Sequence, residues 1–337
     1  MASDMSDQTE SAVREIALVT TGGTIEMTAG SRGVVIAGGI NHNLLDGDVI
    51  PANVRVTQIQ FSSIPSPHMT PGIMRELCLR LEELASGGKY DGIVVTHGTD
   101  TLEESAFLAD IYLKEKIPVV FTAAMRSNAE MGVDGPRNLR GALVVAANPE
   151  VHKLGVTVVL NDEIHAAGRV TKTYTSNVSS FASPGYGPLG FVDQDKILLQ
   201  RMPLWRLHLP PGELSMDRSI GLVRIASGYG AREIRFSADC EDKGMVVETF
   251  GRGNVPVDVG SAVEYAVRKG TIVCVTSRCY VGRVLGVYDY SGGGIDLEQK
   301  GAIFAGDMQG HKMRLLLMAC VGMKMNRREI SELLKEL

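Results

Sequence analysis

The chain has 337 residues, 44% of them hydrophobic and 22% charged, with a formal net charge of −5. That length accommodates two domains with well-buried cores, and the composition is that of an ordinary globular protein. The acidic balance and the lack of a basic cluster argue against a nucleic-acid partner, and no apolar run approaches the roughly 20 residues of a membrane span.

Residues 1–14 are polar and acidic and read as a disordered tail, without the basic and apolar regions of a secretory leader. From Ile16 onward, short apolar strands alternate with amphipathic helices, the rhythm of an α/β fold with parallel strand pairs. Strands are expected at 16–20, 54–60, 92–96, 118–121 and 156–160. Helices are expected at 71–86, with Pro71 in the first turn after Thr70, at 101–114, and from Pro136 or Arg137 through Ala146. Glu163-Ile164-His165 and Arg169-Val170-Thr171 flank Ala166-Ala167-Gly168 and read as a β-hairpin.

From about Lys196 to Ser219 the alternation breaks, with Pro203, Pro210, Pro211 and Gly212, and this stretch reads as a linker. The expected division is a larger domain over 15–196, a linker over 197–218 and a smaller α/β domain over 219–337. In the smaller domain strands are expected near 220–225, 244–248, 271–275 and 302–304, and helices near 257–269, 309–321 and 327–336. The five cysteines are scattered and odd in number, without a Cys-x-x-Cys pair, so reduced thiols in the cytoplasm are expected. Cys78 and Cys320 fall on apolar helix faces and read as core residues.

Two threonines carry most of the chemical information. Thr24 lies in Thr20-Thr21-Gly22-Gly23-Thr24-Ile25 and Thr99 in Thr96-His97-Gly98-Thr99-Asp100-Thr101. Each follows a branched apolar strand and sits in a Gly-containing turn, which displays its hydroxyl at the carboxyl end of a strand, where open α/β sheets place ligands. The Thr24 turn by itself is compatible with a tight connection, an anion cradle or a nucleophile. Asp100 stands beside Thr99 as a potential base, although either residue could instead cap the next helix. His97 reads as a hydrogen-bonded core residue. Lys172, in Val170-Thr171-Lys172-Thr173, would ordinarily be solvated; paired with Thr99, and with its pKa lowered by partial burial, it could deprotonate a hydroxyl. Gly251-Arg252-Gly253-Asn254 lacks the third glycine and helix of a dinucleotide fingerprint, and the seven histidines show no metal-binding spacing.

Taken in order, TTGGTIE around Thr24, THGTDTLEES at 96–105, Asp134-Gly135-Pro136-Arg137-Asn138-Leu139, VTKT at 170–173 and Tyr186-Gly187-Pro188-Leu189-Gly190 resemble the bacterial-type L-asparaginase family. The resemblance covers the chain from Ile16 to the C-terminal helices. It implies a larger N-terminal α/β domain with a mixed, mostly parallel sheet, a linker and a smaller C-terminal α/β domain. It also implies cofactor-free and metal-free hydrolysis of a side-chain amide to a carboxylate and ammonia, by a homodimer or homotetramer whose active site is completed by the neighbouring subunit. By position, the resemblance makes Thr24 the nucleophile, and makes Thr99, Asp100 and Lys172 the group that activates a hydroxyl or water. Ser66 matches the serine that binds the substrate α-carboxylate, Gly23 and Gly98 present backbone N–H groups to the substrate, and Asn254 matches an asparagine reaching in from a partner subunit.

The chain also departs from the family pattern. The loop after the first threonine commonly carries an activating tyrosine, and here no tyrosine precedes Tyr90. Glu26 is near in sequence, and Tyr288 or Tyr290 could act across an interface. Pro67 follows Ser66 where a polar residue is usual. Glu298 and Asp289 are the candidates for a C-terminal glutamate that binds the α-amino group. These departures raise two alternatives: a paralogue acting on a larger or N-substituted amide, and a catalytically weak amide-binding sensor. A further reading, the ammonia-producing subunit of a tRNA-dependent amidotransferase, shares the core but generally carries an extra N-terminal domain, for which Ile16 leaves no room.

Overall fold

The computed structural model describes residues 12–26, 28–29, 35–36, 44–45, 48–114, 116–128, 130–204 and 206–335. The expected tail lies outside these residues up to position 11, while Arg14 already opens the first strand. In chain order, β1 (Arg14–Thr20) leads to a single 3-10 turn at Thr24–Glu26 and a short antiparallel pair, β2 (Thr28–Ala29) and β3 (Val35–Ile36). Next come β4 (Val54–Gln60), α1 (Pro71–Ser86), β5 (Gly92–Thr96), α2 (Leu102–Tyr112), β6 (Val119–Thr122) and α3 (Gly135–Ala146). They are followed by β7 (Thr157–Leu160), β8 (Glu163–Ala166), β9 (Thr171–Lys172), β10 (Phe181–Ala182), β11 (Gly190–Asp193) and β12 (Lys196–Leu199). The C-terminal part comprises β13 (Ile220–Arg224), α4 (Arg232–Asp239), β14 (Gly244–Thr249), α5 (Val257–Arg268), β15 (Ile272–Ser277), α6 (Gly294–Gln299), β16 (Ile303–Phe304), α7 (Gly310–Gly322) and α8 (Arg327–Leu334).

The large sheet has eight strands in the order β12-β11-β8-β7-β6-β5-β1-β4. The run from β7 to β4 is parallel, and β8, β11 and β12 are added antiparallel. The inner parallel strands β1, β5, β6 and β7 are buried on both faces, so they read as unbroken apolar runs such as Ile16-Ala17-Leu18-Val19 and Ile93-Val94-Val95, whereas the edge strand β4 is only partly buried. Alternate residues serve opposite layers. Ala17, Val19, Ile93 and Val95 pack with α1 and α2, whereas Ile16, Leu18 and Val94 pack with α3.

The smaller domain is a four-stranded parallel sheet, β13-β14-β15-β16. One face is covered by α4 and α5. Its other face is covered by α7, whose Leu315, Leu316 and Leu317 join the same continuous core as the α1 and α2 face of the large sheet. Thus α7 is shared between the two domains, packed on β13 and β14 and also against α2.

Two expectations change. The hairpin is formed by β7 and β8, Thr157 pairing with Ala166, and it turns at Asn161 and Asp162 with φ of 50° and 63°. Asn and Asp tolerate the left-handed conformation that a two-residue turn with right-handed strand twist demands. The 169–171 run instead leads into β9, which pairs with β10. The stretch expected as a linker also opens with structure, since Lys196–Leu199 forms the outermost strand beside β11.

Candidate active site

The strand order places a topological switch at β1. From β1 the chain proceeds to β4 on one side, whereas from β5 it passes through α2 to β6 on the other. The connections leaving β1 and β5 therefore diverge and open a crevice at their carboxyl ends, where α/β sheets bind ligands. Both threonine turns lie there.

The turns are pressed together backbone to backbone. Gly22 and Gly23 have φ of 106° and 92°, a region that disfavours side chains. A Cβ on Gly23 would overlap Gly98 Cα and stand 2.5 Å from Gly98 N, and one on Gly98 would stand 2.6 Å from Ser66 Cβ. The loop after β4 closes the third side. Ser62 Oγ donates to Thr21 O at 2.8 Å, and Ser66 Oγ accepts from Asp100 N at 3.2 Å. Ser66, Gly23, Gly98 and Asp100 are thus brought into one cluster, with Thr24 next in the chain.

Lys172, on β9, completes it. Its Nζ donates to Thr99 Oγ1 at 2.9 Å and to Asp100 Oδ1 at 2.7 Å. Thr99 is buried while the Asp100 carboxylate is half exposed, so the ammonium joins a sheltered hydroxyl to a solvent-facing charge. Neither Thr99 nor Asp100 caps α2. The N-cap is Thr101, whose Oγ1 instead donates to Ser66 O at 2.8 Å, leaving the Thr99 hydroxyl to Lys172.

Thr24 is half-buried at the head of the 3-10 turn, and its hydroxyl makes no hydrogen bond among the described residues. Glu26, considered above as its activator, turns inward. Its Oε1 accepts from Gly22 N at 3.1 Å and from Thr96 Oγ1 at 2.8 Å. Burial pushes this carboxyl above its ordinary value despite those donors. Glu26 therefore ties the end of β1 to the end of β5 beneath the site. Tyr288 and Tyr290 are exposed on the smaller domain, their rings 5.9 Å apart. The loop after Thr24 lies largely outside the described residues.

His97 is fully buried, with Nδ1 2.8 Å from Gly98 O and Nε2 2.9 Å from Ser105 Oγ. A carbonyl only accepts, so Nδ1 carries the proton and Nε2 accepts from Ser105. Burial lowers its pKa to about 4. This is the hydrogen-bonded core role expected for it. The Asp134 motif is likewise architectural. Asp134 accepts from Met125 N and Arg126 N at 3.0 and 2.9 Å, and Asn138 ties Ala123 O to Asn161 N.

Asn254 is not joined to this cluster. Its backbone pairs with Phe250, and its buried Oδ1 has no hydrogen-bond partner among the described residues. Glu298 and Asp289 are exposed on the smaller domain, Glu298 lying against Gly286. Sequence reasoning missed Glu103, which accepts from Lys172 N at 3.3 Å and contacts His311 Nε2 at 3.1 Å. It also missed Asp307, which binds Arg169 at 2.7 Å and accepts from the Tyr186 hydroxyl. An acidic residue in the first turn of a helix carries no signal for a partner so distant in the chain.

Comparison with known proteins agrees with this architecture. Residues 15–205 match the family described as Asparaginase, N-terminal, and residues 219–334 match the Glutaminase/Asparaginase C-terminal domain. An L-asparaginase of Bacillus licheniformis is 34% identical over 309 residues, 90% of this chain and 94% of its own. L-asparaginase 2 of Escherichia coli K12 is 32% identical over 345 residues, 96% of this chain and 94% of its own. Among solved structures, a probable cytoplasmic L-asparaginase from Campylobacter jejuni superposes with a TM-score of 0.83 at 29% identity. That superposition covers 96% of this chain and 99% of the other.

Proposed function

The chain belongs to the asparaginase family, and from that premise we propose that it hydrolyses the side-chain amide of L-asparagine to aspartate and ammonia through the two threonines. It is an amidohydrolase acting on asparagine; the residue roles, the assembly and the compartment are the proposal. The observation that carries the residue roles is the Lys172 amine bridging Thr99 Oγ1 and Asp100 Oδ1 beside the Gly23–Gly98 contact.

In this reading the Thr24 hydroxyl attacks the amide carbon to give a tetrahedral intermediate, whose collapse breaks the C–N bond, expels ammonia and leaves an acyl-enzyme; water then hydrolyses that ester and releases the carboxylate. Thr99, held by Lys172 and Asp100, orients and activates a hydroxyl or water and accepts or returns the transferred proton. Backbone N–H groups around Gly23 and Gly98 face the position where negative charge develops on the carbonyl oxygen. Ser66 takes the substrate carboxylate from the third side of the crevice.

The unpartnered Oδ1 of Asn254 and the exposed Tyr280, Tyr288 and Tyr290 support a homo-oligomer, dimer or tetramer, in which a second copy covers the smaller domain and completes the site. Five free cysteines support a reducing compartment, the cytoplasm. Relatives named as L-asparaginases favour free asparagine over the larger or N-substituted amides raised above.

Ammonia release from L-asparagine, L-glutamine and N-substituted asparagine tests the reading. Efficient turnover of free L-asparagine, abolished in Thr24→Ala and in Thr99→Val, is the expected result. Wild-type rates in either variant would remove that threonine from the mechanism.

A further inference from the structure

The smaller domain sends one wholly buried cation into the larger one. Lys312, in the first turn of α7, has its side chain shut off from water, and its Nζ donates to Ala167 O at 3.0 Å and Val170 O at 2.5 Å. These two carbonyls bracket the irregular stretch between β8 and β9, and Lys172 lies two residues beyond Val170. On either side of Lys312, His311 meets Glu103 at 3.1 Å, and Met313 packs into the shared core. Glu103 in turn accepts from the Lys172 backbone N–H at 3.3 Å and from the Thr171 side chain.

Packing alone does not explain a lysine here. The neighbouring core positions of α7 are Met313, Leu316 and Leu317, and a methionine would fill a similar volume without the desolvation of an ammonium. What the lysine adds is direction: two hydrogen bonds that fix two carbonyls of a segment outside regular secondary structure. Glu103 completes the arrangement, because it sits in the first turn of α2, just after Thr99 and Asp100. The same carboxylate is thereby held to the helix that follows Thr99, to the strand that carries Lys172 and to α7.

We propose that Lys312, acting with Glu103 and His311, is a positioning residue that fixes the Lys172 amine between Thr99 and Asp100, so that α7 of the smaller domain sets the geometry of the active site within its own subunit. This rests on the role assigned to Lys172 above. A lysine serving only to join the domains would affect stability and leave turnover by the folded protein unchanged. A positioning lysine affects the step in which the Lys172 amine must stand at a defined distance, where displacements of about 1 Å cost roughly a hundredfold.

The test is Lys312→Met in the full-length protein, assayed well below its melting midpoint. The expected result is faster amide hydrogen exchange at Thr171 and Lys172. It comes with kcat on L-asparagine reduced about ten- to a hundredfold and KM changed less than about twofold. His311→Gln, at the half-buried edge of the cluster, gives a smaller change in the same direction and serves if Lys312→Met does not fold. Unchanged exchange, or a wild-type kcat with faster exchange, overturns the inference. Lys172→Met is measured in parallel: a wild-type rate there overturns the assignment of Lys172 itself, whereas the exchange readout continues to decide whether Lys312 braces the segment.

Discussion

Lys172 Nζ stands 2.9 Å from Thr99 Oγ1, joining a two-residue strand after β8 to the turn after β5. The carboxylate of Asp100 shares the same amine at 2.7 Å. Because Asp100 is half exposed, the ion pair contributes under about 1 kcal/mol to stability. Its importance is therefore chemical, and activity and stability should separate at these positions. We predict that Thr99→Val and Lys172→Met each lower kcat on L-asparagine by at least a hundredfold, the usual scale for losing a positioned proton-transfer group. Their unfolding free energies should stay within about 1 kcal/mol of wild type. Ammonia-release kinetics and urea unfolding on the same samples check this, and a parallel loss of both quantities would contradict it.

Thr24 and Gly23 make a second pair of contrasting tests. Thr24→Ala removes a half-buried γ-methyl and a hydroxyl that has no partner among the described residues, so the fold should be retained while turnover falls on the order of a thousandfold or more. Gly23→Ala adds a methyl group to a residue at φ 92° whose Cβ direction points into Gly98. That substitution forces the two turns apart, and we predict a loss of both activity and about 2 kcal/mol of stability or more. Gly23→Ala with wild-type kcat would show that the closeness of the two turns is not required.

Two buried histidines make the protein acid-sensitive. Burial lowers His97 from its ordinary 6.5 to about 4, and His165, between Ser183 and Glu163, likewise to about 4. The close approach of His165 to Glu163 is thus a hydrogen bond from a neutral ring. In the unfolded chain both imidazoles take up protons from about pH 6.5 downward, whereas the folded protein resists until about pH 4. Their stabilisation is present above pH 6.5 and is lost as the pH falls between these limits, by about 2 kcal/mol per histidine between pH 7 and pH 5. Comparing His97→Gln with wild type at one protein concentration isolates one of them, because oligomer formation also shifts apparent stability. The variant should lose less stability than wild type on acidification; equal losses would contradict the neutral, buried state of His97.

Much of this was legible in the sequence because the informative signals are local. Val54–Gln60, Pro71–Ser86 and Gly92–Thr96 coincide with the expected elements, since branched apolar runs and a Thr-Pro helix start determine them within a few residues. The hairpin lies earlier in the chain than the Ala166-Ala167-Gly168 signal suggests, because Asn161 and Asp162 supply the two consecutive positive φ values of a type I′ turn without any glycine to mark it. The short, polar helix Arg232–Asp239 buries only Ile234, Ser237 and Ala238, too weak a stripe to stand out. Within the site, Asp100 is legible as a neighbour of Thr99 by adjacency, whereas the choice of Lys172, 73 positions from Thr99, rests on family resemblance. The contact of Glu103 with His311 was not accessible at all, because side chains 208 positions apart meet only through the packing of α2 on α7.

Gly92 shows how stability and function divide between the two ends of the large sheet. It opens β5, at the end opposite the Thr99 turn, and its missing side chain admits the last carbonyl of α3. A Cβ there would run into Ala146 O and lie 3.0 Å from the Ala146 carbonyl carbon and 3.1 Å from Ile16 Cδ1. The obstruction is helix backbone, so no rotamer change relieves it; α3 or β5 must shift. We predict that Gly92→Ala costs about 2 kcal/mol or more, seen as a melting midpoint lowered by several degrees. Thr96 and the turn after it are held separately, by Thr21 N–H and Oγ1 donating to Thr96 O and by Thr96 Oγ1 donating to Glu26. Turnover per folded molecule at low temperature should therefore remain within about twofold of wild type, since the strain is confined to the far end of a strand anchored on both sides. A large drop in kcat without a drop in melting midpoint would mean that displacement at the base of β5 is transmitted along the strand to Thr99.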